Sequence, residues 1–179
     1  GNGTDVLIVT PSGVEVHKGR YLLVEAEALE PSHLPTEIGL FSVNPRYPAG
    51  IQERRYHKDP QEAAKVRNNA QRFIPSLAIN TNPDAVNGPP IADSNLIVLG
   101  GNSRTMTQQF LYGQGRGQAI KNFLAASCSA GCFGFTPDDV QAMRAPILVR
   151  QINFVASAND ERSRKMINLL NATLTQELD

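Results

Sequence analysis

The chain has 179 residues, 41% of them hydrophobic and 19% charged, which is typical of one globular domain with a core of its own. Its 17 basic and 17 acidic residues balance, so whole-chain charge does not draw it to nucleic acid or to an anionic membrane. No apolar run is long enough to span a bilayer, and the first residues do not resemble a signal peptide. We therefore expect a cytoplasmic location and no membrane partner.

The ends of the sequence are typical of a domain taken from a longer polypeptide. The chain opens with GNGTDVLIVT, without methionine, and closes with a polar segment of helical pattern. Two cysteines, Cys128 and Cys132, lie four residues apart, far downstream of all three histidines. We interpret them as small buried thiols beside a turn, with a metal site or a short disulfide as the alternatives.

The first half of the chain contains a predicted hairpin or meander and one predicted helix. β-Branched residues in DVLIVT and VEVHKGRYLLVEAEAL flank the turn PSG. FSVNPRYPAGIQERRYHKD contains two prolines and has no periodicity, so we expect it to run extended over the surface. Asp59 and Pro60 mark a helix start. The apolar face of that helix is predicted to contain Ala63, Val66, Ala70 and Phe73.

The second half alternates short strands with helices. IADSNLIVLGG predicts two short strands, or one strand with a turn at ADSN. Ser103 is predicted to cap a helix through RTMTQQFLY, and QAIKNFLAASC predicts another. Thr136 opens a short helix, APILVRQI is predicted to be a strand, and a terminal helix follows. The elements indicate an α+β or mixed α/β class.

The segment GGNSRT, residues 100–105, stands where a strand leads into a helix. Glycines allow a tight turn and a close approach to a ligand, and a helix start presents unpaired N–H groups and a positive dipole end. Ser103 or Thr105 can add a hydroxyl group, and Arg104 can bind phosphate with two parallel N–H groups. The alternative is that Gly100 and Gly101 only make the turn while Arg104 is solvated.

A second candidate is NPRYPAGIQERRY, in which arginines alternate with aromatic rings as in phosphate and base contacts. Arg46, Arg54 and Arg55 are the contact candidates, and Glu53 is a candidate general base or metal-binding group. The alternative is a solvated charged loop. A third stretch, DAVNGPPIADSN, predicts a turn at Asn87 and a stiff entry into a strand.

Together these stretches resemble a known superfamily. NGPPIADSNLIVLGGNSRTMTQQ is similar to the core of the ParB/sulfiredoxin fold, in which a strand leads into a G-x-x-R segment that opens a helix. The longer series LEPSH, NPRYPAGIQERRY, NPDAVNGPPI, LGGNSRTM and APILVR resembles the DdrB-like ParB domain of phage and mobile-element polypeptides. The resemblance runs from about Tyr21 to Ile152.

The resemblance implies an α+β domain over residues 1–152, with a small mixed sheet and helices packed around it, and a helical extension over 153–179. It implies a location in a bacterial host cell or delivery with a phage. The G-x-x-R positions are Gly101, Asn102, Ser103 and Arg104. Asn102 stands where sulfiredoxins have a catalytic cysteine and ParB proteins a glutamate, so we expect no cysteine-based reduction of sulfinic acids.

Three functions follow as expectations, in descending order. The first is binding of a nucleotide or DNA, with NTP hydrolysis or phosphodiester cleavage and with Mg²⁺ accompanying the nucleotide. The second is a non-catalytic DNA- or protein-interaction module of a larger polypeptide. The third is a structural scaffold. The residues assigned to the first function are Glu53, Asn102 and Arg104 for catalysis, Gly100, Gly101, Ser103, Arg104 and Thr105 for phosphate, and Arg46, Arg54, Arg55 and Asn87 for contacts.

Overall fold

The structure, a computed structural model, describes residues 2–36, 40–52 and 57–171. Within these ranges the strands are β1 (Asn2–Val9), β2 (Val16–Glu25), β3 (His33–Pro35), β4 (Phe41–Val43), β5 (Ile91–Ala92), β6 (Val98–Gly100) and β7 (Pro146–Ile152). The helices are α1 (Pro60–Gln71), α2 (Asn102–Gly113), α3 (Gln118–Ser129), α4 (Pro137–Gln141) and α5 (Glu161–Asn171).

Five strands form one mixed sheet in the order β1-β2-β7-β5-β6, and β3 and β4 form a small second sheet. The hairpin β1–β2 is antiparallel, as is the pairing of β2 with β7, whereas β5 runs parallel to β7. The last strand in the sequence therefore lies at the centre of the sheet, where Arg150 pairs with Tyr21 on one side and Ile91 on the other. The expected α+β class is confirmed.

The helices cover the sheet with two main apolar clusters. In one, Leu148 of β7 packs with Phe110 of α2 and Leu124 of α3. In the other, Leu99 of β6 packs with Leu170 of α5. Both clusters consist of side chains removed from water, and this burial is the main favourable term in folding. Within the described ranges, none of the helices has the length and apolarity needed to cross a membrane.

Local signals set most element boundaries as predicted. Asp59 caps α1 by accepting hydrogen bonds from the N–H groups of Gln61 and Glu62. Thr136 and Asp139 form a reciprocal capping box at the start of α4. The stretch IADSNLIVLGG forms two short antiparallel strands, as one of the two alternatives predicted.

The segment after β3 differs from its prediction. We expected residues 41–52 to run extended over the surface, but Phe41, Asn44, Tyr47 and Ile51 are buried. The Tyr47 hydroxyl donates to the Val98 carbonyl at 2.8 Å, which fixes this segment against β6. Beyond β4 the prolines prevent regular structure, but the chain does not lie in water, because apolar side chains before, between and after the prolines are buried in the core.

Candidate functional site

The start of α2 is built around a glycine in a left-handed conformation. Gly101, the residue before the helix, has φ +81° and ψ 35°. The first backbone hydrogen bond of the helix runs from the Thr105 N–H to the Gly101 carbonyl at 2.9 Å. In the described part of the chain, the three preceding N–H groups, of residues 102–104, have no acceptor. They are the unpaired donors that a helix start offers to an anion.

The prediction that Ser103 caps this helix is wrong. The helix begins one residue earlier, at Asn102, and Gly101 occupies the cap position without any side-chain hydrogen bond. A Cβ atom on Gly101 would lie 2.8 Å from Arg104 Nη2 and 3.2 Å from Pro90 Cα. Glycine is therefore required here by backbone conformation and by the close approach of the Arg104 guanidinium group.

Arg104 is not a solvated helix residue. Its Nε donates to the Gly88 carbonyl at 2.8 Å, Nη1 to Val86 at 3.0 Å and Nη2 to Ala85 at 3.4 Å. Burial lowers the pKa of Arg104 to about 10, so the group stays charged at neutral pH. Three of the five N–H donors of its guanidinium group are used by these bonds, which leaves two for another acceptor.

Arg150 stabilises the same loop from the centre of the sheet. Its side chain is fully buried, with 0% exposure. Its nitrogens donate to backbone carbonyls between residues 82 and 89, including Asn87 at 2.6 Å and Pro89 at 2.8 Å. Burial, together with the neighbouring charge of Arg104, lowers the pKa of Arg150 to about 10. An arginine inside the apolar strand PILVRQI was the sequence signal for such a buried cation.

A cavity of about 260 Å³ opens where the start of α2, the end of α1 and the loop containing Asn87 meet. We call it the Ser103 cleft. Among the described residues that line it there is no carboxylate, and no carboxylate of the described chain forms an ion pair with Arg72 or Arg104. Its lining comprises Asn69, Arg72, Phe73, Leu77, Val86, Asn87, Ser103, Arg104 and Thr107.

The cleft brings together three of the residues selected from the sequence, namely Asn87, Ser103 and Arg104. Gly100 and Gly101 are buried at the strand end beside it. Thr105 is fully buried, its hydroxyl donates to the Gly101 carbonyl at 2.9 Å, and it is not among the residues that line the cleft. The remaining candidates Glu53, Arg54 and Arg55 lie outside the described residues.

Asn102 and Arg46 make other contacts. The Asn102 Oδ1 accepts a hydrogen bond from the Ser32 N–H at 2.9 Å. Burial raises the pKa of Tyr47, and a hydrogen bond with the Asn102 side chain partly offsets this rise. Arg46 binds Glu30 with Nε at 2.8 and 2.9 Å from the two carboxylate oxygens, and it lines a different cavity.

Arg72 and Thr107 are among the cleft residues that sequence reasoning missed. Arg72 is exposed just after the last residue of α1, so only packing of the two helices shows that it reaches the same cleft as Ser103. Thr107 is 1% exposed and lines the cleft, and its hydroxyl has no hydrogen-bond partner in the described part of the chain. Both face the cleft because α1 packs against the first turns of α2.

A chain of hydrogen bonds extends from Ser32 away from the cleft. The Ser32 hydroxyl is 2.9 Å from His33 Nδ1, and His33 Nε2 is 2.7 Å from His57 Nδ1. The two imidazole rings are stacked with centroids 4.9 Å apart. Burial, and to a smaller extent the neighbouring His57, lowers the pKa of His33 to about 4. His33 is therefore neutral at physiological pH.

The cleft does not fit a resident Mg²⁺ ion. Mg²⁺ prefers carboxylate and phosphate oxygens, and the described lining of the cleft contains no carboxylate. Elsewhere in the described residues, no group of three or more His, Cys, Asp or Glu side chains is placed to hold a metal. Cys128 and Cys132 are both free thiols, and Cys128 is buried as interpreted from the sequence, whereas Cys132 is only half-buried.

The comparison with known families agrees with these elements. A family model for the ddrB-like ParB superfamily domain matches residues 13–153, most of the chain. The protein belongs to the ddrB-like ParB superfamily, which confirms the resemblance found in its motifs. The chain has no significant match among curated proteins or among solved structures.

Proposed function

We propose that this domain binds the phosphate group of a nucleotide or of a nucleic acid in the Ser103 cleft. The carrying observation is a concentration of positive charge in a cleft whose described lining residues include no carboxylate. Arg72 and Arg104 line the cleft, and the charge of Arg150 lies behind the loop that forms one wall. A site whose guanidinium groups have no ion-pair partner among the described residues, next to free helix N–H groups, favours an anion with several oxygen acceptors.

The proposed contacts use donors that the fold leaves free. The backbone N–H groups at the start of α2, the Ser103 hydroxyl and the two unused N–H groups of Arg104 would donate to phosphate oxygens. Arg72 would add a mobile cation from the other side. Gly101 allows a close approach to the helix start because it has no side chain there. Phe73 offers an apolar surface for the sugar or base.

Catalysis is part of the same proposal, as NTP hydrolysis or phosphodiester cleavage in which Arg104 stabilises charge on the reacting phosphate. Glu53 remains the candidate base, and Mg²⁺ would be carried by the phosphates. The alternative is a non-catalytic DNA- or protein-interaction module. The bond from the Ser32 N–H to Asn102 Oδ1 favours the alternative, because it gives Asn102 a structural task. In either case we propose that the domain acts within a larger phage or mobile-element protein.

The test is a calorimetric titration of the chain with inorganic phosphate, ATP, CTP, GTP and short single- and double-stranded DNA, with and without Mg²⁺. The informative variants are Arg72→Gln and Ser103→Ala, because both positions carry few structural contacts. We expect Arg72→Gln to weaken binding about tenfold, the value of one hydrogen bond to a charged group. Arg116→Gln, at an exposed position after α2, is the matched control.

The results separate the two functions. Binding that weakens in Arg72→Gln but not in Arg116→Gln supports a phosphate site, and release of phosphate or of cut DNA in the same samples supports catalysis. Binding without turnover supports the interaction module. If the folded protein binds none of these compounds, or if Arg116→Gln weakens binding as much as Arg72→Gln, the proposal is wrong.

A further inference from the structure

The lining of the Ser103 cleft combines two cations with no opposing charge. Arg72 and Arg104 are the charged side chains among the described residues that line it, and the other lining side chains are neutral. Neither arginine forms an ion pair with a carboxylate in the described part of the chain. The inference below rests on the proposed phosphate site and specifies which kind of phosphate group it takes.

The donors of the cleft suffice for about three oxygen atoms of one ligand group. The Nε, Nη1 and Nη2 atoms of Arg104 each donate to one carbonyl of the loop between residues 85 and 88. One N–H group is therefore left on Nη1 and one on Nη2, which is enough for two oxygens of one phosphate. The hydroxyl group of Ser103, half-buried in the same lining, can donate to a third.

Phosphate groups differ in charge and in the number of free oxygens. A phosphomonoester carries about 1.5 to 2 negative charges near neutral pH and has three terminal oxygens. A phosphodiester inside a strand carries about one negative charge and leaves two oxygens free. Two arginines with donors for about three oxygens match the monoester in both respects, whereas a diester leaves one cation without a counter-charge.

The size of the cleft restricts the ligand to one phosphate group with part of its sugar or base. Its volume is about 260 Å³, whereas sites that enclose a drug-sized ligand have about 300 to 1,000 Å³. Phe73, Leu77 and Val86 provide apolar surface in the same lining. The described lining offers no carboxylate for the Mg²⁺ that accompanies a triphosphate. A single nucleotide unit therefore suits the cleft better than a triphosphate.

We propose that the Ser103 cleft binds a phosphomonoester, the terminal phosphate group of a nucleotide or of a nucleic-acid strand, in preference to a phosphodiester inside a strand. Arg104 and Ser103 bind its oxygens, and the exposed Arg72 neutralises its second negative charge. Phe73 contacts the attached sugar or base. Phosphodiester cleavage leaves such a group at a strand end, so the proposal is compatible with either function proposed for the domain.

The experiment titrates the folded chain calorimetrically with three six-nucleotide thymidine strands, which carry a phosphate at the 5′ end, at the 3′ end or at neither end. AMP, adenosine and ATP with Mg²⁺ are the small ligands. One phosphorylated strand should bind at least about tenfold more tightly than the unmodified strand, because only a monoester offers the additional charge and oxygen. ATP with Mg²⁺ should bind at least about fivefold more weakly than AMP, because Mg²⁺ already neutralises its phosphates.

Two substitutions of one residue separate charge from shape. Ser103→Asp and Ser103→Asn have side chains of similar size, and the helix dipole favours an acidic residue in the first turn of α2, so both variants should fold. Ser103→Asp should weaken binding of the phosphorylated strand at least about tenfold more than Ser103→Asn does. Arg72→Gln should reduce the preference for the phosphorylated strand to about threefold, and Arg116→Gln should leave it unchanged.

The pH dependence of binding identifies the charge state of the ligand. A phosphomonoester loses one negative charge with a pKa of about 6. The described lining contains no side chain that titrates between pH 5.5 and 7.5. The affinity for the phosphorylated strand should therefore fall about fourfold from pH 7.5 to 5.5, and that for the unmodified strand should not change.

Each outcome decides the proposal or its source. Tighter binding of a phosphorylated strand than of AMP indicates a strand end, and equal or weaker binding indicates a free nucleotide. The proposal is overturned if the unmodified strand binds as tightly as the phosphorylated ones, if ATP with Mg²⁺ binds more tightly than AMP, or if Ser103→Asp binds like Ser103→Asn. Binding that still weakens in Arg72→Gln would then leave the proposed phosphate site intact, whereas a folded protein that binds none of these compounds overturns both.

Discussion

The guanidinium groups of Arg104 and Arg150 donate to the same backbone oxygen, the carbonyl of Ala85, each at 3.4 Å. Two like charges thus meet at one loop, and neither forms an ion pair with a carboxylate of the described residues. Carbonyl dipoles of residues 82–89 stabilise both guanidinium groups, and the Asp84 carboxylate of the same loop acts on Arg150 from a greater distance. The loop therefore forms a rigid wall, and the positive charge of the two arginines acts on the Ser103 cleft.

The first prediction concerns this pair of arginines. Arg150→Lys should lower the free energy of unfolding by about 3 kcal/mol, since one ammonium group cannot reach the carbonyls that the planar fork satisfies. Arg104→Lys should cost about 1 to 2 kcal/mol, because Arg104 serves fewer carbonyls. Urea unfolding measures both, with Arg116→Lys as the control. A larger loss for Arg104→Lys than for Arg150→Lys would contradict this ranking.

The second prediction separates backbone strain from crowding at Gly101. Gly115 also has a positive φ, +69°, but a Cβ there would meet nothing within 4 Å. Gly115→Ala should therefore cost about 1 kcal/mol, the strain alone. Gly101→Ala should cost about 2 kcal/mol more, because the added methyl group displaces the Arg104 fork. Thermal unfolding measures the difference, and equal losses at both positions would contradict the crowding.

The third prediction compares two buried hydroxyl groups of α2. Thr105→Val should destabilise the protein by about 1 kcal/mol, because its hydroxyl donates to the Gly101 carbonyl. Thr107→Val should be neutral or stabilise the protein by up to about 1 kcal/mol, since its hydroxyl has no partner in the described residues. Urea unfolding of the two variants tests this. A destabilised Thr107→Val protein would show that its hydroxyl has a partner.

The fourth prediction concerns acid stability. The pKa of His33 is about 4 in the folded protein, below its ordinary value of 6.5, so the unfolded chain binds this proton first. Above pH 6.5 the titration of His33 does not reduce the free energy of unfolding. As the pH falls from 6.5 toward 4, protonation of the unfolded chain lowers that free energy. At pH 5 the loss should be about 2 kcal/mol. His33→Gln should flatten the pH dependence of the unfolding free energy between pH 7 and 5, and parallel curves would contradict the role of His33.

The sequence by itself determined the elements whose signals are local. Asp59 and Thr136 cap helices because their oxygens reach N–H groups two or three residues away. Ala63, Val66 and Ala70 are buried because their spacing follows the helical period. The family motif GGNSRTM was likewise visible in the sequence, since it is a continuous stretch of chain.

Only the tertiary structure decided what the motif contacts. Arg104 meets carbonyls 16 to 19 residues earlier, and Asn102 meets Ser32 at a separation of 70 residues. Arg72 joins Ser103 only because α1 packs on α2. Neither periodicity nor capping determines such pairs, because they depend on where separate segments pass one another in space. The charge of the Ser103 cleft is therefore a property of the fold rather than of any one motif.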